Sequence, residues 1–131
     1  MRHQTTMKTA AAMQAIMLVV AAAAQAVTLS TPPLHPDANG RLSCTVVNVG
    51  GRKIAMAAEI VGEAGDNVTD FAATEWSSGD ETVPASMTVE SSADAARYCK
   101  VVVTGGGRSQ VRAALEAFDQ AGTRTAVVEA H

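Results

Sequence analysis

The chain has 131 residues, 47% of them hydrophobic but only 3% aromatic, with two Cys and a formal net charge of −3. That length suits one domain of ordinary size. The acidic balance argues against a nucleic-acid partner and against an anionic membrane surface, since both attract basic patches.

Residues 1–26 carry the three zones of a secretory signal peptide. Arg2, His3 and Lys8 make a basic start, residues 10–24 are apolar apart from Gln14, and Ala24-Gln25-Ala26 offers small residues where a signal peptidase reads. The apolar run is shorter than the roughly 20 residues of a membrane span and is rich in Ala, which favours cleavage over anchoring. Export is therefore expected, to a secreted or periplasmic location, with no membrane association once the signal is removed. Loss of Arg2 and Lys8 leaves eight basic residues against thirteen acidic ones, so the mature charge is near −5.

Residues 27–40 read as a Pro-rich lead-in segment. Pro32, Pro33 and Pro36 fix the backbone and remove donors, and Asp37-Ala38-Asn39-Gly40 closes it with a turn. Its first part is expected to be mobile. The domain proper is expected over residues 41–131.

From Arg41 onward, short alternating runs are divided by Gly, Asp, Asn and Ser. The first covers residues 41–48, with Leu42, Cys44 and Val46 on one face. The second covers 53–61, with Ile54, Met56, Ala58 and Ile60 together. The third covers 68–76 and ends at the turn Ser77-Ser78-Gly79-Asp80. The fourth, 82–90, contains Pro84, which cannot donate to a ladder; it belongs at an edge or begins after the proline. The fifth spans 95–103, with Cys99, Val101 and Val103 sharing a face. Thr104-Gly105-Gly106-Gly107-Arg108 turns the chain into the sixth run, 110–118, and residues 123–130 form the seventh. Ala113, Ala114, Leu115, Glu116 and Ala117 would also suit a helix. The alternation of Val111, Ala113, Leu115 and Ala117, between turns that suit hairpins, favours a strand. About seven antiparallel strands at this spacing predict an all-β sandwich.

Two cysteines in an exported chain read as a disulfide, and both share a strand face with apolar residues. Cys44 and Cys99 are therefore expected to be bonded across one core. An early and a late cysteine, 55 residues apart, resemble the inter-sheet bridge of immunoglobulin-like sandwiches. Two features depart from that pattern: Tyr98 is adjacent to Cys99 rather than two residues before it, and Trp76 comes 32 residues after Cys44. The mature chain, through residues 42–49 and 97–101, is similar to small exported bacterial proteins of uncharacterised function. The resemblance implies an architecture and brings no catalytic residue.

A catalytic set is hard to assemble. His3 lies in the leader, His35 in the Pro-rich segment and His131 at the last position, so no Ser/His/Asp triad has a placed centre. The Gly run at 105–107 lacks the Lys-Ser/Thr ending of a phosphate cradle and reads as a turn. Asp66, Asp70, Glu75, Asp80 and Glu81 are not spaced as a calcium loop and read as a solvated surface. No cofactor or metal is expected. Among Phe71, Trp76, Tyr98 and Phe118, Trp76 beside its turn is the candidate interaction residue, although a lone Trp in a small sandwich is more often core.

The expected function is that of an exported, non-enzymatic binding or scaffolding module with a protein or cell-surface partner. The alternative is an inhibitor or accessory subunit of an exported enzyme, acting through a projecting loop at 62–67 or 104–109. A third reading is a small hydrolase using Glu75 and Asp80 as paired carboxylates.

Overall fold

Period-two alternation decides the secondary structure. The computed structural model describes residues 25–92 and 95–131. These hold eight strands: β1 (Ala26–Ser30), β2 (Arg41–Asn48), β3 (Ala55–Val61), β4 (Phe71–Ser77), β5 (Asp80–Ser92), β6 (Tyr98–Thr104), β7 (Val111–Phe118) and β8 (Arg124–Glu129). One short 3₁₀ turn, Arg108–Gln110, leads into β7. The strands form two sheets, β1-β6-β3 and β4-β5-β2-β7-β8, and every strand pair is antiparallel.

The core lies where the inward faces of the two sheets meet. Leu42, Cys44 and Val46 of β2, Val89 of β5 and Leu115 of β7 are fully buried against Ile60 of β3 and Cys99, Val101 and Val103 of β6. Cys44 and Cys99 are bonded, with their Cα atoms 6.2 Å apart. β2 and β6 are the central strands of their sheets, so the bond joins the sheets at the middle of the core. A disulfide is at home in an oxidising compartment. Residues 111–118 are strand, because alternate burial of Val111, Ala113, Leu115 and Ala117 against both sheets outweighs the helix propensity of the alanines.

Three features differ from the sequence expectation. Residues 27–40 are not a loose lead-in, since Ala26–Ser30 is a strand paired with β6 from Ala26↔Thr104 to Ser30↔Lys100. The following residues stay attached to the start of β6. Thr31 donates its N–H to the Cys99 carbonyl at 3.0 Å, and its Oγ1 accepts the Cys99 N–H at 2.9 Å. Leu34 and Arg97 exchange both backbone bonds, and Pro36 is fully buried. The first 24 residues, which hold most of the expected signal peptide, lie outside the described residues.

The third strand starts at Phe71 rather than Val68, because residues 66–70 change sheets. Val68 donates to the Ile60 carbonyl of β3 at 2.9 Å, and Asp70 donates to the Glu90 carbonyl of β5 at 2.8 Å. Pro84 was expected at an edge or ahead of its strand; β5 starts earlier, at Asp80, and has neighbours on both sides, but not along its whole length. The pairing of β5 with β2 ends at Val47↔Ser86, so at Pro84 the strand has overrun β2 and needs no donor there. The Pro84 carbonyl is taken up by the buried Asn48 side chain at 2.9 Å, which also donates to the Arg52 carbonyl at 2.8 Å.

The β4–β5 connection is a two-residue hairpin. Ser77 pairs with Asp80, and both intervening residues have positive φ, 49° at Ser78 and 76° at Gly79. That is the signature of a type I′ turn, whose twist matches the flanking strands.

Candidate functional site

The unequal widths of the two sheets make the site. A three-stranded sheet cannot cover the inward face of a five-stranded one, so β4 overhangs the edge strand β3. Met87 of β5 faces inward and packs on the core, and Thr74 of β4 stands opposite it. Past an irregularity in the ladder at Glu75–Ser77, Trp76 stands opposite Pro84 on the same overhang. The result is a groove of about 390 Å³ lined by Ile54, Met56, Thr74, Trp76, Pro84 and Met87, with Lys53, Glu81 and Thr82 at its rim. Trp76 remains 45% exposed. The expectation that a lone Trp is core is therefore overturned, because its burial depends on what the opposite sheet covers.

The site is apolar at its floor and, apart from Lys53 at the rim, acidic around it. Phe71, at the other end of β4, is 53% exposed and lies opposite Glu90 on the outward face. Asp70, Glu75, Asp80 and Glu81 are all exposed along β4 and the start of β5. Asp80 accepts the Thr82 hydroxyl at 2.7 Å and the Thr82 N–H at 2.9 Å. Those two bonds, hydroxyl first, hold its carboxyl below the ordinary aspartate range, with a further small contribution from the Lys53 charge.

The charge distribution along the sequence marks this surface. From Ile54 to Ala96 the chain contains nine acidic residues and no Lys or Arg, whereas the rest of the chain after residue 26 holds eight basic and four acidic residues. β3, β4 and β5 all fall inside the acidic stretch. A count of charge along the chain finds it.

The remaining candidates stay apart. Glu75 stands opposite Ser86, and Asp80 opens β5 bound to Thr82, with no hydrogen bond joining the two carboxylates. Among the described residues, no group of three or more His, Cys, Asp and Glu could hold a metal ion. His35 contacts the Pro36 carbonyl through Nδ1 at 2.7 Å, and His131 exchanges backbone bonds with Ser30. The Gly run turns β6 into β7 with Gly105 at φ 85°, and it leads into a strand rather than the helix a phosphate cradle opens. Residues 63–67 project as an exposed loop, closed by Gly62 donating to the Asp66 carbonyl at 2.9 Å. A larger hollow of about 620 Å³ lies at the opposite flank, lined by Thr45, Val47, Arg112, Glu116, Glu129 and His131 among others. It has no exposed aromatic residue. Among the described residues, no helix is long and apolar enough to cross a membrane.

No protein-family model, no curated protein and no solved structure matches this chain.

Proposed function

We propose that this chain is an exported, non-enzymatic β-sandwich of immunoglobulin-like form, and that it binds a protein or cell-surface partner through the groove beside Trp76. The observation that carries the reading is the exposure of the chain's single Trp beside Met56 and Met87. Burying a tryptophan at an interface contributes more than most side chains, and flexible Met side chains adapt to a partner's shape. A soluble domain gains nothing in its own stability from leaving that ring in water. The central disulfide supports export, since such bonds persist in oxidising compartments. The leader pattern read from residues 1–26 points the same way.

The test is capture from the culture medium or cell envelope of the source organism, with wild-type chain and Trp76→Ala as paired baits. Partners retained by wild type and lost by the variant support the reading. An identical captured set with both baits sinks it, provided both melt with the same cooperativity.

The inhibitor reading rests on a different observation, the exposed and internally hydrogen-bonded loop at 63–67. Replacing that loop with a short Gly-Ser turn separates the two. Loss of binding on loop replacement, with Trp76→Ala silent, would favour the inhibitor.

A further inference from the structure

The four edge strands are not finished alike. β1 is closed on its outer side at Ser30, which exchanges two backbone bonds of 3.2 Å with His131 just beyond β8. β8 is bounded by that clasp just past its end, and its outer side opens with a basic residue, Arg124. β3 is covered at its end by the chain that follows it: Val61 bridges Asn67, Val68 donates to the Ile60 carbonyl, and the Ile60 N–H finds Thr69 Oγ1 at 2.9 Å. Among the described residues, β4 has β5 on one side and no strand on the other. Its seven residues, Phe71–Ser77, include no Lys, Arg or Pro, and its one charge, Glu75, and its ladder irregularity lie at the hairpin end, so Phe71–Thr74 is a regular edge without the devices that blunt pairing.

We infer that the free side of β4 accepts an extended, basic polypeptide segment from a partner protein as an added strand. This rests on the binding role proposed for the Trp76 surface and names the form of its partner. An added strand would lay alternate side chains on the two faces of the sheet. β4 offers one aromatic anchor on each: Phe71 outward and Trp76 over the groove. Charge selects the occupant. Glu75 is exposed on β4 and Asp70 just before it, Asp80 and Glu81 are exposed at the hairpin end on β5, and the chain has no basic residue from Ile54 to Ala96, Lys53 at the groove rim being the nearest before it. A second copy pairing β4 with β4 would bring the same carboxylates together, and like charges facing across a ladder are unfavourable. A segment carrying Lys or Arg meets them with opposite charge.

Trp76 is the chain's only tryptophan, so its fluorescence reports on this edge directly. The probe is a short peptide alternating Val and Lys, titrated against the purified full chain with its disulfide intact. A saturable change in Trp76 emission is expected, weakening by about tenfold as salt rises from about 50 to about 500 mM. A peptide of equal charge with Pro at alternate positions cannot complete a ladder and should bind at least about tenfold more weakly. Glu75→Lys, an exposed change, should weaken the Val-Lys peptide by a similar factor. Three results overturn the inference: equal binding of the Pro peptide, no binding of either peptide, or self-association of the chain that Glu75→Lys abolishes. Equal binding of both peptides would remove strand addition and leave the Trp76 contact standing. That contact falls by a separate result, a captured partner set indifferent to Trp76→Ala.

Discussion

The two flanks where the sheets meet are built from the same materials and finished in opposite ways. On the flank of β1, β7 and β8, Ser30 and His131 sew one sheet to the other, and Ala130 donates to the Ala113 carbonyl at 2.9 Å. Charges there are mixed and paired, as with Arg124 and Glu116 at 3.5 Å. On the flank of β3, β4 and β5, the chain crosses between sheets at residues 66–70 and then adds β4 outside the crossing. That extra strand carries exposed Phe71 and Trp76 within a predominantly acidic stretch, whose basic neighbours Arg41, 3.8 Å from Glu90, and Lys53 come from outside it. Paired exposed charges contribute little to stability, so the contrast is not one of strength. A sealed edge protects a fold, whereas an open edge with aromatic side chains and one sign of charge is suited to a partner.

The largest expected effect touches both flanks at once. Cys44 and Cys99 are fully buried and bonded between the central strands. Replacing both by Ala should lower stability by about 2–5 kcal/mol, read from denaturant melts. Unfolded, unreduced wild type should show no free thiol. Because the bond lies midway between the flanks, amide exchange should quicken on both. Quickening confined to one flank would show that the bridge belongs to that flank rather than to the whole.

The bridge was also the part most legible in the sequence. Leu42, Cys44 and Val46, and Cys99, Val101 and Val103, alternate cleanly, and all six are fully buried. Alternation also placed β7 correctly, since the inward positions of a strand repeat every second residue whatever the propensity of the residues between them. What stayed hidden is what alternation does not encode. β1 is five residues long and runs into Pro32, Pro33 and Pro36, so Val27 and Leu29 were read with the Pro-rich lead-in rather than as a strand. The crossing at 66–70 depends on long-range bonds to Ile60 and Glu90. The exposure of Trp76 follows from one sheet being two strands wider than the other, and no local pattern carries that. The charge bias of the open flank, by contrast, was in plain view as a run without Lys or Arg.

A smaller effect separates the flanks. The Ser30 N–H points away from β6, to the His131 carbonyl. Ser30→Pro removes that bond without removing a donor from the β1–β6 ladder, and should destabilise by about 1–2 kcal/mol. Trp76→Ala, on the open flank, removes a half-exposed ring and should shift stability by under about 1 kcal/mol. Paired thermal melts check the order. If Trp76→Ala proves the more damaging, its ring is structural and the open flank is not reserved for binding.

The smallest effect concerns the hairpin at the tip of the open flank. Asp80 follows the Ser78-Gly79 turn, and its carboxylate receives the Thr82 hydroxyl and N–H. Both bonds favour the charged form, so the folded-state pKa lies below that of the unfolded chain. For a depressed carboxyl, the stabilisation is fully present above the unfolded value of about 4 and is lost as pH falls through the folded value. Asp80 lies in solvent, so salt and water screen the contribution and global melts should scarcely register it. The local readout is the carboxyl carbon of Asp80, followed by NMR during an acid titration. Thr82→Val deletes the larger of the two causes, the hydroxyl, and leaves the backbone donor in place. Its Asp80 midpoint should rise toward the ordinary aspartate value without reaching it. In wild type, acidification through the Asp80 midpoint should also perturb Trp76 emission, since the hairpin places both residues at one end of β4 and β5. An Asp80 midpoint that ignores Thr82→Val would show that the hydroxyl does not hold the carboxylate, and that this tip of the open flank has no pH-sensitive clasp.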